Sequence, residues 1–262
     1  MNPIVLRATS ASILANALAL GPQGCSPPPG PPPADLTVEQ TMGLAFAKFI
    51  DTPVWNYYAA AAPEARRPLR LLIADPRLKS YHEDAWTLLG YVGDESDVRR
   101  VSASIEEWSN RTLDIDERRT LYAMIHALGL MGRRDVAGAR ELLIEMHSPD
   151  YWRKAQFQLY DRPTTGMPPD EYLLVIQAVR GYALASLPDA EDRARSVVRS
   201  IDDPEIRESV AAAIDAKQLA DWVEYVRREE QRPALPEMLP RLERMFNGDL
   251  DAPGPATADG SP

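Results

Sequence analysis

A shortage of reactive side chains is the first feature of this sequence. Its 262 residues include a single cysteine, Cys25, so an internal disulfide is excluded. The histidines are His82, His126 and His147; none lies in a metal-binding spacing, and we expect them at the surface or at helix ends. Phosphate-binding glycine loops and the motifs of serine hydrolases are also missing. We therefore assign no catalytic residue and expect no metal site and no cofactor.

Residues that favour β-sheet are scarce as well. The sequence has 4 phenylalanines and 14 glycines, and no run alternates β-branched with polar residues in the manner of a strand. Alanine, leucine, arginine and glutamate are common instead, and most of these residues favour helix. The composition predicts an all-α protein.

An excess of basic charge is also lacking. The net charge is −10, whereas proteins that bind phosphate backbones normally present a basic face. Basic pairs do occur, but acidic residues accompany each of them, so we interpret the pairs as solvated helix faces and expect no nucleic-acid partner. The pairs are Arg66–Arg67, Arg99–Arg100, Arg118–Arg119, Arg133–Arg134 and Arg227–Arg228.

The stretch 85–108 predicts two helices joined by a tight turn. The apolar stripe of the first helix consists of Ala85, Leu88, Leu89 and Val92. The turn is predicted at Gly90 and Gly93, which follow the stripe. Asp94 and Asp97 are suited to start a new helix. The stripe of the second helix consists of Val98, Val101, Ile105 and Trp108. Because one hairpin cannot bury both stripes, it needs similar hairpins beside it.

Similar hairpins follow along the chain. Gly129 and Gly132 repeat the spacing of Gly90 and Gly93, 129 − 90 = 39 residues later. The accompanying stripes are Met124, Ala127, Leu128 and Met131, then Val136, Ala139, Leu143 and Met146. A third copy is predicted over 172–201, with Pro188 restarting its second helix. A fourth begins at 202, where the cap residue is Asp203 and the first helical position is Pro204. Further helix starts are predicted at Thr37 to Gln40, at Ser80 to Glu83 and at Ser148–Pro149.

These hairpins resemble HEAT repeats. Residues 202–215 are similar to the first helix of such a repeat, and residues 90–101 are similar to its turn and second helix. Four units over about residues 70–230 carry the resemblance, which is closest to the bacterial HEAT-like type first associated with phycobilin lyases. Trp86, Leu89 and Gly90 also match the start of a tetratricopeptide repeat, but Gly93 stands where that family has an aromatic residue.

The resemblance implies an α-solenoid of stacked antiparallel helix pairs, with an armadillo-like superhelical shape. HEAT-type arrays bind other macromolecules, so the resemblance implies a non-enzymatic scaffold or adaptor with a protein partner. A minority of HEAT-like proteins act on a chromophore. A lyase-like enzyme or a small-ligand-binding protein, with a deep pocket near Tyr160 and Asp161, is therefore the alternative.

The sequence divides into four parts. Residues 1–24 resemble a secretory signal, with an apolar run of about 14 residues and a cleavage-type site ending at Ala19. Residues 25–35 form a proline-rich linker that starts at Cys25, the lipidation candidate, although Pro22 and Gln23 depart from the lipoprotein pattern. A helical repeat domain is predicted over 36–247 and a disordered tail over 248–262. We expect an exported bacterial protein, periplasmic or tethered to the envelope through Cys25; a cytoplasmic protein with a disordered leader is the alternative.

The insertion between the second and third copies contains the candidate binding residues. Leu184 aligns with Leu128, 184 − 128 = 56 residues away, which is 17 more than the previous interval of 39. Aromatic and cationic side chains, which are enriched at binding hot spots, cluster there. The partner-binding candidates are Tyr151, Trp152, Arg153, Lys154, Tyr160 and Arg162. Alternatively, Trp152 and Tyr160 fill the gap between unequal repeats. The other tryptophans on apolar stripes, predicted to be core, are Trp55, Trp86, Trp108 and Trp222.

Overall fold

A computed structural model describes residues 35–37, 39–40, 62–159 and 168–231. The predicted leader, Cys25, most of the linker and the C-terminal tail lie outside these residues. So do the aromatic segment around Trp55 and, of the partner-binding candidates, Tyr160 and Arg162. None of the described helices is both long enough and apolar enough to cross a bilayer.

The described chain is mostly α-helical, which confirms the predicted class. Its helices are α1 (Ala62–Ile73), a 3-10 helix (Pro76–Tyr81), α2 (His82–Val92), α3 (Glu95–Glu107), α4 (Ile115–Arg133), α5 (Ala139–Met146), α6 (Pro149–Ala155), α7 (Asp170–Ala185), α8 (Leu187–Arg199), α9 (Pro204–Ala213) and α10 (Ala216–Gln231). Two short strands, β1 (Thr112–Leu113) and β2 (Gln158–Leu159), depart from the all-α expectation and pair in parallel. Each has two residues, too few to show the alternation by which a strand is recognised.

Helix α4 lies between α2 and α7. It packs on α2 and on α7, while α1 packs on α2. The second helices of the predicted pairs add further contacts: α3 with α4 and α5, α5 with α4 and α7, and α8 with α7. Residues all around α4 and α7 are therefore buried, from Leu121 to Gly132 with few exceptions and from Leu173 to Leu184 with one. Such a continuous apolar pattern is typical of a helix with neighbours on several sides.

Glycines permit the close approach of α2, α4 and α7. A Cβ atom on Gly129 would lie 2.2 Å from the carbonyl oxygen of Gly181, and one on Gly90 would lie 2.9 Å from the Cα of Ala127. Gly90 and Gly129 lie inside α2 and α4, so the prediction that Gly90 belongs to a turn is wrong. The recurring glycine spacing marks contacts between helices. Only Gly93 ends its helix, as the C-cap of α2.

Most of the predicted helix starts are confirmed. Asp94 caps α3 in a capping box with Asp97, Ser148 caps α6 ahead of Pro149, and Asp203 caps α9. Thr37 and Gln40 exchange the two hydrogen bonds of a capping box, at 3.0 and 3.1 Å. The box predicted at Ser80 to Glu83 is wrong. The sequence Asp75–Pro76 starts a 3-10 helix there instead, and α2 begins at His82 without a side-chain cap.

The last pair, α9 and α10, differs from the earlier ones. Its apolar residues Leu219, Val223 and Val226 are buried, whereas Trp222, which was predicted to be core, is partly buried. The indole nitrogen of Trp222 donates to the Arg180 carbonyl of α7, 3.2 Å away, and its ring meets His126 of α4 edge-on at 5.5 Å. Two turns later, Glu230 pairs with Arg133 at the end of α4. Helix α10 therefore passes α7 and reaches α4.

Candidate partner-binding surface

Trp152, the central residue of the predicted binding cluster, belongs to the core. It is 3% exposed, and its indole nitrogen donates to the Met146 carbonyl at 2.8 Å. Its ring meets Tyr151 edge-on at 5.0 Å and Phe157 at 6.1 Å. As in the alternative considered above, Trp152 fills the space between the second and third copies. It offers no surface to a partner.

The other described candidates lie together at the surface of α6. Arg153 is half exposed and pairs with Asp150 at 2.8 Å and with Glu171 of α7 at 3.3 Å. Its guanidinium also lies over the Tyr172 ring, 5.8 Å from the centroid. Lys154 is exposed. Tyr151 is half-buried, and burial raises the pKa of its hydroxyl to about 12.

We call Tyr151, Arg153, Lys154, Glu171 and Tyr172 the α6 surface. The helix that positions the first three is short, but Pro149 fixes its first turn and Ser148 caps it. The start of α7 supplies the other two. The surface combines an aromatic rim with both signs of charge, and Arg153 is held in place by acids of its own chain. It suits a polar protein surface better than a small anion.

A cluster of arginines around the turn between α2 and α3 was missed by sequence reasoning. We call this turn, Gly93 and Asp94, the first bend. Arg70 of α1 holds the fully buried Asp97 with two hydrogen bonds, at 2.8 and 2.7 Å. The hydrogen bonds that Arg70 donates to Asp97 raise the pKa of the Arg70 guanidinium. Burial alone would raise the pKa of Asp94. The hydrogen bonds that it accepts from Ser96 and Arg70 outweigh this effect and lower the pKa to about 2.

Two further arginines hold the carbonyl end of α2. Arg66 donates to the Val92 carbonyl and lies 3.3 Å from Asp94, and Arg134 donates to the carbonyls of Gly90 and Gly93. Cations there complement the negative end of the helix dipole. The interpretation of the basic pairs as solvated faces is therefore wrong for Arg66 and Arg134. It is also wrong for Arg118, which is buried. Because these contacts join residues 26 or more positions apart, no local sequence pattern could have predicted them.

Of the histidines, His126 departs from the prediction, whereas His82 begins α2 and His147 caps the end of α5, both at helix ends as predicted. His126 lies in the middle of α4 against Trp222, and burial lowers its pKa to about 4. His147 is buried at the end of α5, with its pKa lowered to about 4 for the same reason. No group of three or more histidine, cysteine or acidic side chains in the described ranges could hold a metal ion.

An open groove of about 280 Å³ runs between α8 and α9. Its lining is mostly apolar and includes Val198 and Ile214, with Glu191 and Arg195 paired beside it. It offers apolar contact without polar groups converging on a reacting atom. The pocket predicted for a small ligand, near Tyr160 and Asp161, lies outside the described residues.

No protein-family model, no curated protein and no solved structure matches the chain.

Proposed function

We propose that this protein is a non-enzymatic, HEAT-like helical-repeat adaptor that binds another protein. The observation that carries the proposal is the order of contacts among the first helices: α1 with α2, α2 with α4, and α4 with α7. Second helices pack behind these, as α3, α5 and α8 do. Such an order supports a solenoid, in which each unit contacts its neighbours in sequence.

Close glycine contacts between successive first helices support the same proposal. Gly90 faces Ala127, and Gly129 faces Gly181, so two consecutive unit boundaries use the same device. Repeated contacts of one kind are expected where units stack one on the next. Solenoids of this kind present extended surfaces, and they commonly bind proteins.

The α6 surface is the proposed place for the partner. It lies where the interval between units is longest, and insertions in repeat arrays commonly map to a binding face. Its described side chains of the type enriched at hot spots are Tyr151, Arg153 and Tyr172. Because Arg153 is already held by Asp150 and Glu171, it would lose little side-chain entropy on binding.

Cross-linking in cells followed by mass spectrometry tests this proposal. The wild-type chain should enrich one protein partner, and Arg153→Glu with Lys154→Glu should reduce that enrichment at least roughly tenfold, since like charges oppose rim contacts. The matched control is Arg195→Glu with Lys217→Glu, two exposed cations on α8 and α10. It should leave the enrichment unchanged.

Two outcomes would contradict the proposal. Equal loss in both double variants would show that charge in general, rather than the α6 surface, is responsible. A wild-type chain that enriches no protein above the background of an unrelated helical protein would remove the adaptor function itself.

We also propose that the protein is exported and that Cys25 anchors it to the envelope. This part depends on the sequence alone, through the signal-like leader and the proline-rich linker. The mass of the mature N-terminus tests it. Acylation at Cys25 supports the anchor, cleavage near Ala19 supports a free periplasmic protein, and an intact Met1 contradicts export.

A further inference from the structure

The turn between α9 and α10 lacks the residues that normally end a helix. We call it the last bend, and it consists of Ile214 and Asp215. No glycine or proline occurs from residue 205 to residue 231, and alanines occupy 211–213 and 216. Local propensity therefore favours a single helix through this point. Straightened, residues 204–231 would form a rod of about 42 Å at 1.5 Å per residue.

A few polar contacts hold the last bend. The Asp215 carboxylate accepts from the backbone N–H of Gln218 at 2.8 Å, as an N-cap. The guanidinium of Arg180, on α7, donates to the Ala213 carbonyl at 3.2 Å. In a continuous helix that carbonyl would accept from the N–H of Lys217 instead. Arg180 thus replaces a hydrogen bond that straightening would restore.

Helix α10 also packs on α7 and α8, and further polar contacts lie along it, away from the bend. Trp222 bonds to the Arg180 carbonyl and meets His126, and Glu230 pairs with Arg133. Glu230 also hydrogen-bonds to Tyr91 of α2. These contacts join α10 to helices that precede α9 in the chain. Nothing in their geometry depends on whether α10 is attached to the same copy.

We propose that the last bend is a hinge, and that two copies of this chain exchange α10 to form a reciprocal dimer. In the dimer, α9 and α10 of each copy form one helix, and each α10 occupies the α7–α4 face of the other copy. The contacts of α10 with α2, α4, α7 and α8 are kept between copies, so the two forms differ mainly at the bend. The occupant of the face is a second copy because the matching features, Trp222 and Glu230 at their spacing of eight residues, belong to α10 itself.

Charge complementation distinguishes exchange from the closed monomer. Arg133→Glu places two acids together within a chain, and Glu230→Arg places two bases together. When the two variants exchange α10 with each other, the charges at positions 133 and 230 are opposite at both sites. One site has the original ion pair, and the other has the pair with its charges reversed. Neither variant can form these pairs alone. The side chains are partly exposed, so both variants should fold.

The two full-length variants, carrying different tags, are mixed in urea, refolded together at about 1 mM and examined by native mass spectrometry. We expect mixed dimers to exceed each kind of same-variant dimer by roughly tenfold. Mixed dimers at only their statistical share would overturn the exchange. So would a wild-type chain that stays monomeric under the same treatment.

Two hinge variants give an independent test by light scattering. Ala216→Pro fits the first position of α10 but is incompatible with the interior of a continuous helix, so it should abolish the dimer while the monomer folds. Asp215→Ala removes the cap of the closed form and should raise the dimer association constant roughly tenfold or more. A dimer that persists in Ala216→Pro, or that does not increase in Asp215→Ala, would overturn the hinge.

Because the exchange uses α10 and not the α6 surface, its failure would leave the adaptor proposal standing.

Discussion

The first bend and the last bend make the same turn between paired helices by different means. At the first, a Cβ on Gly93 would lie 2.5 Å from the Leu89 carbonyl oxygen, and Asp94 and Asp97 complete a capping box. At the last, Asp215 supplies one side-chain cap hydrogen bond between segments that both favour helix. The first bend is therefore encoded locally, whereas the last depends on its neighbours.

The neighbours differ too. The first bend receives Arg66 and Arg70 from α1 and Arg134 from the segment after α4, so both adjacent units contribute. The last bend receives Arg180 from α7, the unit before it. Among the described residues, the unit of the first bend has a neighbour on both sides and is stabilised by two interfaces, whereas the last described unit has a neighbour on one side. Stability should consequently fall from the first bend to the last.

The largest effect is expected from Asp97→Ala. It leaves Arg70 without its buried partner and removes half of the capping box. Breaking a buried ion pair usually costs 3–5 kcal/mol, and since Asp94 still lies 2.9 Å from Arg70, we expect a loss of about 3 kcal/mol in the free energy of unfolding. Urea denaturation at pH 7 measures it.

The control for Asp97→Ala is Glu39→Ala. Glu39 pairs with Arg67 of α1, whose side chain is 76% exposed, so the loss should stay below about 0.5 kcal/mol. Similar losses in the two variants would show that the buried pair contributes no more than a surface pair. The special stability assigned to the first bend would then be wrong.

The second-largest effect is expected on acidification, which should destabilise the contact between α4 and α10 but not the first bend. The pKa of His126 is about 4 in the native protein against 6.5 in the unfolded chain, because burial disfavours its charged form; Arg133 lowers the pKa further while Glu230 raises it. Below pH 6.5 the unfolded chain binds a proton that the native chain does not. The contribution of neutral His126 to the free energy of unfolding is thus complete above pH 6.5 and is lost as the pH falls to 4. Allowing for partial exposure of the ring, we expect about 2 kcal/mol from His126.

The variant that tests this is His126→Phe, which keeps an aromatic edge against Trp222 but cannot take up a proton. Its loss of stability between pH 7 and pH 4.5 should be smaller than that of the wild-type chain. The first bend should be unaffected over this range, since the pKa of Asp94 is about 2. An acid loss that His126→Phe does not reduce would exclude His126 as its source.

Features with a local signal were predictable from the sequence. The helix pairs follow from apolar periodicity, and the caps at Asp94, Ser148 and Asp203 follow from residue type next to a helix start. The prediction that Trp86 is buried is confirmed. The box at Ser80 failed because a stronger local signal, Asp75 followed by proline, starts a 3-10 helix upstream.

Features that join distant residues were not predictable. The pair Arg133–Glu230 spans 97 residues, and it is one of the contacts that hold α10 against α4. Of the candidate site, the sequence left two interpretations of Trp152 open, partner binding and filling the gap between unequal repeats, and its burial supports the second. The sequence pattern of an aromatic residue beside cations is the same whether the aromatic side chain contacts a partner or fills a gap between units.

The smallest effect is expected at the last bend itself. Asp215→Ala removes the N-cap of α10 and should cost about 1 kcal/mol, while Asp215→Asn keeps a capping oxygen and should cost a few tenths. Hydrogen exchange is the informative measurement, because the loss should be confined to the opening of α10 if a terminal unit opens separately from the rest. Amides of α4 should then keep their protection. If amides of α4 and α10 lose protection together, the last bend is as firmly coupled to the core as the first, and the gradient of stability between them does not exist.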